Sequence, residues 1–142
     1  MRQFADVSVG ETDSFGSYEV TAAEVVEFAE RYDPQPFHTD PEAAAETPFG
    51  GLVASGWHTA AMTMRLLVEN FLSDVATRGA LGVDDLRWRA PVRPGQTLTV
   101  ETEVLAKDGW DDQSGKIAVA ITTFADGDVA LSMVGLVLVD RE

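Results

Sequence analysis

Two hydrophobic periods meet in this chain near residue 80, and their order limits the folds it can reach. Before that point, apolar residues recur at helical spacing in Ala-rich segments; after it, Val- and Thr-rich stretches alternate apolar with polar. Helices followed by strands describe an α+β domain with segregated halves. Thr21 stands where an N-cap belongs and Glu24 follows at capping-box spacing, with Val25, Phe28, Ala29 and Tyr32 repeating at helical intervals. Pro34 is expected to stop that helix near Asp33. Asp40-Pro41-Glu42 predicts a second, short helix through Glu46, ended by Pro48, Gly50 and Gly51. The longest pattern runs from Ser55 to about Leu72. There Trp57, Ala61, Met64, Val68 and Phe71 form one stripe, widened by Ala60 and Leu67 and expected to be the buried face, with Arg65 and Glu69 paired on the solvent side.

Strands are expected at about 15–20, 81–89, 97–106, 116–125 and 129–139, with Asp126-Gly127 as a hairpin turn between the last two and the acidic stretch Asp108–Asp112 as another hairpin tip. Five antiparallel strands and one long helix pack best as a curled sheet wrapped around that helix, in a single domain spanning 1–142. Such a sheet leaves a face or an edge open, so a homodimer or higher homo-oligomer is expected to cover it.

The charge balance excludes several partners. Ten Lys and Arg against 24 Asp and Glu leave a net charge of −14, which repels nucleic acid and anionic membrane surfaces. No segment approaches the roughly 18 apolar residues of a membrane span. The chain has no cysteine, so it can form neither a disulfide nor a thiolate metal site nor a thiol nucleophile. With no apolar run near Met1 that would serve as a signal peptide, a cytoplasmic location is expected.

Ionisable residues concentrate in Asp33-Pro34-Gln35-Pro36-Phe37-His38-Thr39-Asp40, expected to be a loop between helices. Two prolines restrict its backbone, so Asp33 and His38 would lose little further entropy in converging on one point. A carboxylate beside an imidazole can move protons near neutral pH. Taken alone, the same residues also read as a solvated helix-end aspartate and a loop histidine satisfied by a carbonyl. The next segment, Phe49-Gly50-Gly51-Leu52-Val53-Ala54-Ser55-Gly56, leads into the long helix. The free N–H of Gly56 at that helix start could stabilise a developing oxyanion, or Ser55 could be an N-cap and Gly56 a packing residue.

Together these pieces resemble the MaoC-like dehydratases and (R)-specific enoyl-CoA hydratases, which have the hot dog fold. The resemblance lies in Asp33-x-x-Pro36-x-His38-x-Asp40, then Phe49-Gly50, then Val53-Ala54-Ser55-Gly56, with Pro91-Val92-Arg93-Pro94-Gly95 as a later echo. It covers nearly the whole chain. It implies an Asp33–His38 catalytic dyad, an oxyanion N–H at Gly56 and a capping role for Asp40. The implied reaction is reversible addition of water to a trans-2-enoyl thioester, giving an (R)-3-hydroxyacyl thioester. Phe37, Ser55, Trp57 and His58 are then the candidate substrate-binding residues. Trp57 and His58 either narrow the acyl pocket, or are respectively a core residue and a surface residue of the first turn. The chain departs from the family where Ser55 stands in place of a frequent histidine.

No metal or redox cofactor is implied. Of the two acyl carriers, coenzyme A suits a −14 protein better than the larger acidic acyl carrier protein, with Arg87, Arg89, Arg93 and Lys107 available to its phosphates. A hot dog thioesterase using Glu69, Glu101 or Asp108 as base is the enzymatic alternative, and a non-catalytic acyl-thioester binding domain is the other. An iron site built from His38, Asp40 and His58 is disfavoured because Asp40 is explained as a cap. Ser55 lacks the flanking glycines of a nucleophile elbow.

Overall fold

The computed structural model describes all 142 residues. The α-helices, α1 (Ala22–Tyr32), α2 (Pro36–Thr39), α3 (Pro41–Ala45) and α4 (Gly56–Asn70), lie between β1 (Thr12–Glu19) and a run of four strands. These are β2 (Thr77–Trp88), β3 (Thr97–Gly109), β4 (Ser114–Ala125) and β5 (Asp128–Asp140). All five strands join one antiparallel sheet in the order β1-β3-β4-β5-β2, curled around α4 in the expected hot dog fold. Register shifts in β1, β2 and β3 supply the bending that a flat ladder lacks. At the β4–β5 hairpin, Asp126 and Gly127 both take left-handed backbone conformations, as the Asp-Gly signal requires. No helix is long and apolar enough to cross a membrane.

The core lies between α4 and the sheet, where Met62, Leu66 and Leu67 join Leu98, Val100, Val104, Val119 and Ile121. Gly16 permits the close approach of β1 to the helix. It holds φ +91°, and a Cβ there would stand 2.9 Å from the Leu66 side chain.

Three expectations need correction. The buried face of α4 follows the predicted stripe only at Leu67 and at Phe71 just beyond its end: Trp57, Met64 and Val68 are 58%, 48% and 43% exposed, and Ala61 is also exposed. The face that packs on the sheet runs through Thr59, Met62, Thr63, Leu66 and Leu67. Its two threonines read as polar in sequence but bury their hydroxyls in hydrogen bonds. Thr63 Oγ1 donates to the Thr59 carbonyl at 2.8 Å and lies 2.7 Å from Thr123 Oγ1. The second correction is that Pro36–Thr39 forms one helical turn rather than loop, because Pro36 at its first position is pre-set for helical φ. The third concerns the capping box. Thr21 Oγ1 accepts from the Glu24 N–H at 3.3 Å, but the Glu24 carboxylate turns away to Tyr18 and His58.

Truncating the true packing face should therefore be costly. Leu66→Ala is expected to lower stability by about 2–5 kcal/mol in urea unfolding, the range for a buried leucine that leaves a cavity.

Candidate active site

Asp33 is the C-cap of α1, its N–H bonded to the Ala29 carbonyl at 2.8 Å. From there its carboxylate meets three side chains. Gln35 Nε2 donates to Oδ1 at 2.6 Å, Ser55 Oγ donates to Oδ2 at 2.7 Å, and His38 Nε2 stands 3.3 Å from Oδ2. The Gln35 hydrogen bond, then the Ser55 hydrogen bond and the positive charge that the nearby imidazole carries when protonated, hold the Asp33 carboxyl below its ordinary range against the opposing effect of burial.

His38 is buried on α2, with its ring edge-on to Phe37. Its Nδ1 lies 2.6 Å from the Val53 carbonyl, which can only accept, so Nδ1 carries the proton. The ring therefore presents Nε2 to Asp33 and to the groove. The backbone secures the same contact, since Val53 N–H donates to the Phe37 carbonyl at 3.2 Å. Asp40 Oδ1 accepts from the N–H groups of Glu42 and Ala43, which makes it the N-cap of α3.

Gly56 opens α4. Ser55 is the N-cap and its Oγ accepts from the Trp57 N–H at 3.3 Å, while Ala54 N–H is tied to the Val92 carbonyl at 2.8 Å. Gly56 N–H has no acceptor within the chain and sits at the positive end of a 15-residue helix. A side chain at this position is impossible without rearrangement, because a Cβ would lie 2.3 Å from the indole of Trp88. Asp33, His38, Ser55 and Gly56 all line one groove of about 600 Å³, walled by Phe37, Phe49, Trp57 and Trp88. One site thus offers a proton-accepting nitrogen, an anionic carboxylate and an unpaired helix-start donor.

Of the expected site residues, Asp33, Phe37, His38, Ser55, Gly56 and Trp57 come together in this groove. His58 does not. It is 2% exposed and turned to the other side of α4, where its ring stacks on Phe28 and Nε2 lies 3.3 Å from Glu24 Oε1. Helical geometry explains the correction, since residues 56 and 58 project about 200° apart around the axis. Trp57 is correspondingly neither core nor fully enclosed. Three contributors went unmarked in the sequence: Gln35, the Val53 carbonyl and Trp88. Gln35 sat inside the Pro-x-Pro motif as its variable residue, while Trp88, a strand residue far along the chain, carried no local signal.

The His58 cluster gives the fold a titration of its own. Burial, opposed by Glu24, lowers the His58 pKa, and Tyr18, half-buried and donating to Glu24, is pushed up to about 12 by desolvation and that carboxylate. A histidine with a depressed folded pKa contributes stability that is fully present above about pH 6.5 and is lost as pH falls toward the folded value. The thermal midpoint should therefore drop as pH is lowered from about 6.5, and His58→Gln should show a shallower drop over the same interval.

A family model described as a MaoC like domain matches residues 5–125. A 3-hydroxybutyryl-CoA dehydratase of Methylorubrum extorquens is 36% identical over 103 residues, covering 71% of this chain and 62% of that one. The crystal structure of a MaoC-like dehydratase from Rhodospirillum rubrum is 38% identical with a TM-score of 0.87, covering 100% of this chain and 99% of the other. An (R)-hydratase from A. caviae involved in PHA biosynthesis is 28% identical with a TM-score of 0.75, covering 92% and 96%.

Proposed function

Because the chain belongs to the MaoC-like domain family, a hydro-lyase family, we propose that it adds water reversibly to trans-2-enoyl-CoA, giving (R)-3-hydroxyacyl-CoA. The observation that carries this reading is the convergence of Asp33, His38 and the unpaired Gly56 N–H on one groove. The thioester oxygen accepts from Gly56 N–H, which draws electron density from C3. Water held between Asp33 and His38 bonds through its oxygen to C3 as His38 Nε2 takes one of its protons. The electron pair of the C2–C3 double bond moves toward the thioester, and the resulting enolate oxygen rests on Gly56. The imidazolium then returns the proton to C2, which restores neutral His38 and completes net addition of H and OH. Asp33 remains ionised throughout, because its hydrogen bonds favour the anion. It orients the water and stabilises the imidazolium. Coenzyme A is the carrier in this reading, supported by the acidity of the chain and by the CoA-ester name of its 36% identical relative.

A homodimer belongs to the same proposal. Strand β2 is a sheet edge exposed along most of its length. Leu81 and Val68 are exposed, and exposed Met64 and Val83 line an apolar trough of about 280 Å³ with Leu67, Phe71, Ile121 and Val137. An open edge of this kind invites pairing with a second copy. Sedimentation should give twice the 15.3 kDa chain mass, and Val83→Lys should shift the protein toward monomer.

The activity test is loss of the conjugated enoyl absorbance when the protein meets a panel of trans-2-enoyl-CoA esters. Asp33→Asn and His38→Gln should each lower kcat by about 10²–10⁴-fold. Release of free thiol without hydration would move the reading to a thioesterase.

A further inference from the structure

We propose that Ser55 is a positioning residue, which ties the Asp33 carboxylate to the start of α4 and so fixes the water-holding group relative to Gly56 N–H; this deepens the hydratase reading and rests on it. The neighbours of the hydroxyl decide which way its proton points. Trp57 N–H can only donate, so Ser55 Oγ accepts from it at 3.3 Å. An ionised carboxylate can only accept, so the Ser55 proton goes to Asp33 Oδ2 at 2.7 Å. With its proton committed and no exposed surface of its own, Ser55 acts on a substrate only through the groups it holds.

The three side chains around Asp33 are not equivalent. Gln35 donates to Oδ1 at 2.6 Å but is exposed. His38 Nε2 stands 3.3 Å from Oδ2 and carries no proton while Nδ1 is bonded to the Val53 carbonyl, so it gives Asp33 no donor until it has taken a proton from water. Ser55 is the one donor to Asp33 that is itself buried, and its carbonyl accepts the Thr59 N–H at 3.0 Å in the first turn of α4. The hydroxyl thus joins the C-cap of α1 to the residue directly before Gly56. It also places a proton on the oxygen that faces the Nε2 lone pair, which offsets the repulsion between two electron-rich atoms. Without it, the carboxylate is free to turn away from the water that must reach C3, and misplacing a reacting group by about 1 Å can cost about 10²-fold in rate.

Ser55→Gly removes the hydroxyl while keeping a residue that an N-cap tolerates. With crotonyl-CoA its kcat is expected to fall by about 10–100-fold with KM within about twofold, the split of an interaction used in the transition state. In an Asp33→Asn background the same substitution should cost less than about threefold, because the carboxylate it acts through is gone. Carbon NMR of the Asp33 carboxyl gives a readout independent of turnover, and in Ser55→Gly this group should titrate at higher pH than in wild type. Ser55→Ala removes the same donor and should repeat these results, which covers a failure of the glycine variant to fold. A kcat within about threefold of wild type, an equal loss in both backgrounds, or an unmoved Asp33 titration would overturn the assignment and leave the hydratase reading intact. Wild-type protein that hydrates no trans-2-enoyl-CoA ester would overturn both.

Discussion

A single buried hydroxyl joins the two ends on which the groove is built. Ser55 donates to Asp33 at the C-cap of α1 and accepts from Trp57 N–H in the first turn of α4. One side chain thus sets the separation between the carboxylate and the helix-start donor. The direction of its hydrogen bond matters as much as its position: by donating to Oδ2 it stabilises the anion, whereas an N-cap that only accepted would leave Asp33 to titrate nearer its ordinary value. The residue that departs from the pattern of the resembling family is therefore not an empty substitution. Serine keeps the helix cap and adds a bond to Asp33.

The two histidines show how environment assigns different work to the same ring. His38 gives its Nδ1 proton to the Val53 carbonyl and turns Nε2 toward an anion and the groove. His58 gives Nε2 to Glu24 and leaves Nδ1 buried without a partner, a condition that costs about 1–3 kcal/mol for an unsatisfied polar atom. The first ring turns a nitrogen without a hydrogen toward the groove. The second is walled by Phe28 and kept neutral by burial, and it serves to pin α1 against α4. Since α1 carries Asp33 at its end, the structural histidine bears on where the groove's carboxylate sits.

Much of this was legible in the sequence because the signals were local. Thr21, Asp40 and Ser55 all cap the helices they were expected to cap, and the Asp-Gly turn and alternating strands lie where their patterns put them. Asp33 and His38 were paired through the family resemblance, since their spacing alone equally allowed a solvated aspartate and a loop histidine. What escaped was non-local or chemically disguised. Trp88 reaches Gly56 from 32 residues away through sheet topology, and nothing in the spacing of either residue records that contact. The buried Thr59 and Thr63 counted as polar, which rotated the apparent apolar face of α4 away from the sheet. Glu24 satisfied the capping-box spacing while its carboxylate found stronger partners in Tyr18 and His58.

The misplaced stripe on α4 carries information of its own. Helical periodicity marks residues that avoid water, and it does not say whether they are buried by their own chain or by another. Trp57, Met64 and Val68 form a real apolar line, yet the sheet is already occupied by the threonine-containing face, so the line looks outward beside the open β2 edge. Two faces of one helix are thus apolar for two different reasons. Trp57 stands at the end of that line and braces Trp88, which ends the same edge strand. In the dimer reading, the aromatic wall of the groove and the surface that pairs with a second copy are therefore continuous. Assembly and the wall of the groove would draw on the same side chains, and that gives a physical reason for this surface to retain two large exposed indoles.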